Sequence, residues 1–249
     1  MQKCIYCDFL SAPADDKTKS SYVKALINEI ALSEAGLDKN VTSIFIGGGT
    51  PSAINAEYIK DILEAVKQRY RVDGNAEITI ECNPGTINSE KAYIYREAGI
   101  NRISFGLQST DDKELRMLGR IHTYEEFLQS YQWAREAGFQ NINIDLMFAI
   151  PGQTGEAWRA HLRQVAELKP EHISAYSLII EKGTPFYERY KFDAVKQEAG
   201  IHTEILPDED EVYRIYKATQ DGLKQAGYRQ YEISNFARPG FESRHNLKY

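Results

Sequence analysis

Apolar residues along the chain recur in two alternating rhythms. Runs of β-branched and aromatic residues are followed by stretches in which apolar groups return at helical spacing. Residues 19–34 carry Tyr22, Ala25, Leu26, Ile30 and Leu32, which predicts a helix stopped by Gly36. A buried strand follows over 41–46 (VTSIFI) and runs into Gly47-Gly48-Gly49-Thr50-Pro51-Ser52. Asn55 is the expected N-cap of a helix over 56–70. The unit then repeats. Residues 76–82 (AEITIEC) read as a strand, Asn83-Pro84-Gly85 as a turn, and Ser89 as the cap of a short helix that Gly99 ends. Strand 102–106 (RISFG) leads through Leu107-Gln108-Ser109 to a helix over 113–118. Thr123 and Glu126 form a capping box for a helix to Ala137, which Gly138 closes. Strand 141–148 (NINIDLMF) precedes Pro151-Gly152-Gln153-Thr154 and a helix over 156–168, and a further strand spans 172–179. From there the rhythm loosens through Gly183-Thr184-Pro185. An amphipathic helix over 208–226 and a last strand over 231–236 complete the pattern.

Strands alternating with helices imply right-handed crossovers, hence an α/β fold with a parallel sheet and helices outside it. Without a dinucleotide glycine fingerprint, a barrel or open barrel is expected over a Rossmann fold. Both architectures bind ligands at the carboxyl ends of their strands. Polar and glycine-rich residues gather there: Gly47 to Thr50, Glu81, Gln108 and Asp145 end four successive strands. If the sheet is parallel, all four face one mouth. Consecutive glycines let a backbone approach a ligand closely. Glu81 and Asp145 leave apolar strands, where a carboxylate costs free energy unless paired. They suit hydroxyls or a cationic ligand, or else an ion pair with a nearby Lys or Arg. Gln108 suits a ribose or amino-acid moiety, or is a satisfied core amide. Arg120, in Gly119-Arg120-Ile121-His122, offers a bidentate clamp for a carboxylate, or is a solvated helix end.

Composition narrows the function without naming it. The 249 residues are 42% hydrophobic and 27% charged, with a net charge of -6 and a pI near 5.5. The 30 Lys and Arg residues are scattered, so no nucleic-acid surface is expected. No run is long enough for a transmembrane segment, no apolar leader is visible at the start, and a reducing, cytoplasmic setting is expected. Three cysteines do not make a disulfide framework. Cys4 and Cys7 form a C-x-x-C beside Tyr6, which fits a redox dithiol, half a zinc site or part of an iron–sulfur site. Cys82 lies inside a strand and reads as a core residue. His122, His161, His172 and His202 show no metal-ligand spacing.

Taken together, the chain resembles the radical S-adenosylmethionine (radical SAM) superfamily. Within it, the chain is similar to the oxygen-independent coproporphyrinogen III oxidases and their heme-chaperone relatives of the HemW type. The resemblance rests on Lys3 to Phe9, Gly47 to Ser52, Glu81 to Thr86, Phe105 to Ser109, Leu118 to His122, Asp145-Leu146, Pro151 to Thr154 and the closing Arg244-His245-Asn246-Leu247-Lys248-Tyr249. It implies a partial (β/α)6 barrel whose first strand is missing, with a core over residues 1–180 and the start of a C-terminal extension over 181–249. It implies a [4Fe–4S] cluster held by three thiolates. Cys4 and Cys7 match two of them, and the third would precede Met1. The chain as it stands is therefore not expected to hold a stable cluster. The matching S-adenosylmethionine positions are Tyr6, Gly48, Gly49, Thr50, Glu81, Gln108, Arg120 and Asp145. No catalytic residue is assigned. Family chemistry is one-electron reduction of the sulfonium, for which an electron donor is required. Asp8-Phe9 after Cys7 matches the HemW-like form, which implies heme as cargo and an acceptor protein. The alternatives are oxidative decarboxylation of coproporphyrinogen III, or a radical SAM enzyme on another substrate. His245 falls in an H-N-x-x-Y motif, where heme ligation and a structural role both stand open.

Overall fold

The computed structural model describes residues 3–203 and 205–249. Five strands, β1 (Asn40–Ile46), β2 (Arg71–Cys82), β3 (Arg102–Gln108), β4 (Ile142–Phe148) and β5 (His172–Ser177), lie side by side in chain order. Each pairs parallel to the next. The crossovers run through α2 (Ala56–Arg69), α3 (Ser89–Glu97), α4 (Asp112–Met117), α5 (Tyr124–Glu136) and α6 (Gly155–Glu167), with α1 (Asp16–Leu32) leading into β1. The sheet curls into the expected half barrel.

Register decides what faces where, because strand side chains alternate between faces. Ile46, Ile80 and Ile103 stand opposite one another on β1, β2 and β3. With Phe105, Ile144, Phe148 and Ile173 they pack under the helices in one large core. The intervening residues make up the other, concave face: Glu77, Thr79 and Glu81 on β2, Arg102 and Ser104 on β3, Asn143 and Asp145 on β4, and His172, Ser174 and Tyr176 on β5. The convex side is oily and the concave side polar.

Local signals explain most boundaries. Asn55 caps α2 by accepting from the Glu57 N–H, and Thr123 with Glu126 forms the capping box of α5. Three expectations need correction. The cap before α3 is Asn88, which accepts from the Lys91 N–H at 2.9 Å, and Ser89 is the first helical residue. A helix the sequence did not announce, α7 (Pro185–Glu198), follows β5. Thr184 caps it with Pro185 at its first position, but exposed Phe192 and Val195 spread its apolar residues beyond one buried stripe. After α8 (Glu209–Gln225), the single strand expected over 231–236 is a hairpin, β6 (Arg229–Glu232) and β7 (Asn235–Ala237). The Glu232 carboxylate accepts from the Ser234 N–H and from Asn235 Nδ2, which folds the chain back on itself. β7 then joins β5 antiparallel.

Ile80 is fully enclosed between the sheet and the helices. Ile80→Ala is expected to lower the unfolding free energy by about 3 kcal/mol in a urea titration, through lost transfer energy and an unfilled cavity. Phe192→Ala on exposed α7 is expected to change it by less than about 0.5 kcal/mol.

Candidate functional site

The parallel sheet brings the C-terminal ends of β1 to β4 together, and the loop carrying Cys4 and Cys7 lies against them. Residues 4–7 form a turn in which the Cys7 N–H donates to the Cys4 carbonyl. Ile5 anchors this turn from two sides. Its carbonyl accepts from the Phe186 N–H at the start of α7, and its side chain packs with Leu118, Met147, Ile150 and Phe186. Gly119 makes the approach feasible: at φ +72, a Cβ there would sit 3.1 Å from the Ile5 side chain and 3.2 Å from its backbone nitrogen.

Arg120 joins the turn to the strand ends. Its guanidinium donates to Asn83 Oδ1 at 2.8 Å and to the Gly106 carbonyl, and Nη1 stands 3.4 Å from Cys4 Sγ. It is not a solvated helix end. Tyr6 lies beside it, and burial pushes the Tyr6 phenol up against the lowering effect of Arg120. Neighbouring His122 donates to the Leu107 carbonyl and is pushed down to about 3, first by burial and then by the Arg120 charge.

Across the mouth are two carboxylates. Glu81 accepts from the Gly48 N–H at 3.1 Å. Gly47 leaves room for it, since a Cβ at 47 would fall 3.0 Å from the carboxylate and 2.6 Å from the Phe45 ring. Burial, then the neighbouring Asp145 charge, raises the Glu81 carboxyl to about 7. Asp145 accepts from Ser104 Oγ at 3.3 Å and from Asn143 Nδ2 at 2.7 Å. Burial raises its pKa as well, against its hydrogen bonds and the Arg102 charge. Among the described residues neither carboxylate has a Lys or Arg within salt-bridge distance.

Gln108 ends β3 at a register shift, with φ +76, a backbone state an L-residue adopts only where its surroundings enforce it. The Tyr176 hydroxyl donates to its Oε1 at 2.9 Å. Among the described residues its Nε2 has no protein acceptor. The following residues are pinned from below: Glu114 accepts from Ser109 Oγ at 2.5 Å and Gln153 Nε2 at 3.0 Å, with His161 Nε2 at 3.2 Å. That explains the Pro151-Gly152-Gln153-Thr154 motif, which spacing alone left without a use. Thr50 is also engaged, its Oγ1 accepting from Asn83 Nδ2 at 2.9 Å. Gly48 and Gly49 complete the β1 loop, and a Cβ on Gly49 would lie 3.2 Å from Ser11 Cβ, beyond the cysteine turn.

Gly48, Gly49, Thr50 and Arg120 lie on loops, Tyr6 on the cysteine turn, and Glu81 and Gln108 at the last residues of β2 and β3, whereas Asp145 sits in the middle of β4, which runs on to Phe148, and not at the strand end expected for it. Cys82 is enclosed in the core, its thiol pushed up to about 12 by burial. Sequence reasoning missed Tyr176, Asn83 and a cavity of about 740 Å³ between the ends of β4 and β5, α7 and α8, lined by Phe148, Leu178, Val212, Tyr213 and Tyr216. Its lining joins these α8 residues to Ala194 and Gln197 of α7, which had no clear periodicity, and to Ala175 and Ser177 of β5. His245, left open by the sequence, stacks on Phe45 with ring centroids 4.8 Å apart and meets Tyr249 edge-on.

The raised Glu81 pKa sets a sign. A carboxyl whose folded pKa exceeds its unfolded value binds more protons when folded, so its contribution is present below about pH 4.5 and lost as pH rises through about 7. Glu81→Gln is therefore expected to match the parent in melting temperature near pH 4.5 and to exceed it at pH 8, as read by thermal unfolding at both pH values.

The sequence pattern of the radical SAM superfamily matches residues 1–165. The heme chaperone HemW of Escherichia coli (strain K12) is 39% identical over 251 residues, covering 100% of this chain and 63% of the relative. HemW of Bacillus subtilis (strain 168) is 36% identical, covering 99% and 63%. The chain thus spans about 63% of the length of these relatives. Among solved structures, the radical SAM enzyme coproporphyrinogen III oxidase (HemN) from Escherichia coli superposes with a TM-score of 0.81 at 27% identity, over 97% of this chain and 54% of that one. No helix among the described residues is long and apolar enough to cross a membrane.

Proposed function

The chain belongs to the radical SAM superfamily, and from that membership and the mouth geometry we propose that it binds S-adenosylmethionine across the strand ends as part of a HemW-like heme chaperone. The observation that carries the binding site is the pair Glu81 and Asp145, two carboxyls at the mouth with no Lys or Arg within salt-bridge distance among the described residues. A ligand bearing an ammonium and a sulfonium would bring positive charge to them. Gly47 keeps Glu81 accessible, Gln108 retains an unused amide donor for a hydroxyl, and Tyr6 walls the site beside the cysteine turn.

For an iron–sulfur cluster the donor set fits in part. Cys4 and Cys7 place two sulfurs on one turn, with Arg120 supplying positive charge beside Cys4. Cys82 is enclosed elsewhere, and among the described residues no group of three His, Cys, Asp or Glu side chains is disposed to hold a metal ion. When bound, such a cluster supplies an electron to the sulfonium. What this chain's own residues contribute is the position of two cysteine sulfurs, the charge of Arg120 and the shape of the mouth.

Heme transfer is the reading favoured over coproporphyrinogen oxidation. Identity to HemW proteins is 32–40% over nearly the whole chain, against 27% to the oxidase. The cavity beside α7 and α8 has the volume and apolar lining of a small-molecule site and supports a place for an apolar macrocycle. The proposal includes a heme-acceptor protein, an electron donor and a cytoplasmic setting. The oxidase reading keeps one support, the TM-score of 0.81.

Because ionised carboxylates attract the ligand, S-adenosylmethionine affinity is expected to rise between pH 6 and 8 in equilibrium dialysis, following Glu81 through about 7. Glu81→Gln should bind more weakly and flatten that rise. A parent affinity indifferent to pH removes Glu81 from the site. Heme titration followed by Soret absorbance tests the cargo. Saturable binding is expected, whereas no Soret change together with carbon dioxide release from coproporphyrinogen III would turn the assignment to the oxidase.

A further inference from the structure

We propose that His172 is a positioning residue: through Asn143 it transmits the anchoring of the Ser243–Asn246 segment to the Asp145 carboxylate at the mouth. The proposal rests on the reading above only for what Asp145 holds. The connection itself is a chain of short hydrogen bonds across the concave face. Asn143 Nδ2 donates to Asp145 Oδ1 at 2.7 Å. His172 Nδ1 lies 2.6 Å from Asn143 Oδ1, and His172 Nε2 lies 2.7 Å from the Tyr231 hydroxyl. The Tyr231 oxygen receives the Ser243 N–H at 3.2 Å and Asn246 Nδ2 at 3.3 Å.

The direction of every link follows from chemistry. Asn143 turns its amide nitrogen to Asp145 and Ser104, so its oxygen faces His172 and can only accept. His172 must therefore carry its proton on Nδ1. Burial, then the Arg102 charge, holds its pKa well below the usual range, so the ring is neutral and Nε2 presents a lone pair. Tyr231 then has to donate to Nε2, which leaves its oxygen free to accept from the segment. All donors point toward Asp145, and hydrogen bonds in such a series polarise one another. A network that merely filled a polar core would not need one direction.

The far end is firmly seated. Ser243 Oγ and the Arg244 and His245 N–H groups all donate to the Glu77 carboxylate, at 3.2, 3.1 and 3.2 Å. The His245 ring lies on Phe45. The closing Arg244-His245-Asn246 motif thus acts in this fold as an anchor whose hold reaches the mouth through Tyr231 and His172. The titratable and charged groups around Asp145 are Glu81 from β2, Arg102 from β3, and His172 and Tyr176 from β5.

The test uses the full chain, ¹⁵N-labelled on histidine and ¹³C-labelled on aspartate. In the parent, His172 is expected as a single Nδ1–H tautomer. In Tyr231→Phe, Asp145 should titrate at higher pH, and S-adenosylmethionine affinity should fall about fivefold, the effect of one net hydrogen bond. That loss should vanish when Asp145 is already Asn, which a purely structural role for Tyr231 would not produce. An Nε2–H tautomer in the parent overturns the proposal, as does a folded Tyr231→Phe protein in which the Asp145 titration is unmoved. If the parent binds no S-adenosylmethionine, the reading of the mouth fails, while the tautomer and the Asp145 titration still decide the positioning role. Should Tyr231→Phe not fold, Asn246→Ala removes one donor to the same oxygen and is read the same way.

Discussion

A polar side chain on the inner face of a curled sheet needs a partner, because unpaired burial costs more than a hydrogen bond returns. Much of this molecule follows from that constraint. The strands place Glu77, Asn143, Asp145, His172 and Ser174 on one concave surface. Their partners come largely from each other and from the hairpin and closing segment, which bring Tyr231, Asn235 and Ser243 across the face. The parts of the chain without clear periodicity are thus the parts that satisfy the barrel. At the mouth the same logic is left unfinished. Glu81 receives one backbone N–H and Asp145 receives donors but no salt-bridging cation, and burial raises both carboxyls above their ordinary range.

The alternating core was legible in the sequence because each of its elements buries one face. Ile78, Ile80, Ile103 and Ile144 announced their strands through pattern alone, and Thr123 with Glu126 announced α5. The mouth was legible as far as the parallel order of the strands, which sets the β1 glycines, Glu81 and Gln108 at one end of the sheet, while turn-forming and ion-pair uses stood beside the ligand reading. What escaped was whatever depends on contacts distant in sequence. Nothing near Tyr176 says that its hydroxyl will meet Gln108, 68 positions away. Nothing near Gln153 points to Glu114. The hairpin was hidden because its turn is made by the Glu232 side chain rather than by glycine or proline. Asn88 and Ser89 are both good caps, and composition cannot choose between neighbours.

The cysteine turn belongs to no strand or helix, yet two elements hold it. Phe186 at the head of α7 donates to Ile5, and the loop after α4 supplies both Gly119 and Arg120, whose guanidinium reaches Cys4, Asn83 and Gly106. Because one guanidinium touches both the turn and the strand ends, the cysteine sulfurs and the carboxyls share a common frame. Arginine suits the task through its planar fork of donors and its permanent charge.

Gly119 shows how little keeps that frame aligned. It contributes no side chain, and the Ile5 methyl groups and backbone nitrogen occupy the space a Cβ would take. An inherited change to alanine, serine or arginine at this codon would wedge the turn outward while leaving the oily core beneath the helices untouched. A Cβ at this left-handed position also strains the backbone and presses Ile5 off the smaller apolar cluster of Leu118, Met147, Ile150 and Phe186. Variation at position 119 therefore acts on the seating of the turn, and through it on the spacing between sulfur and strand ends, while the larger core stays whole.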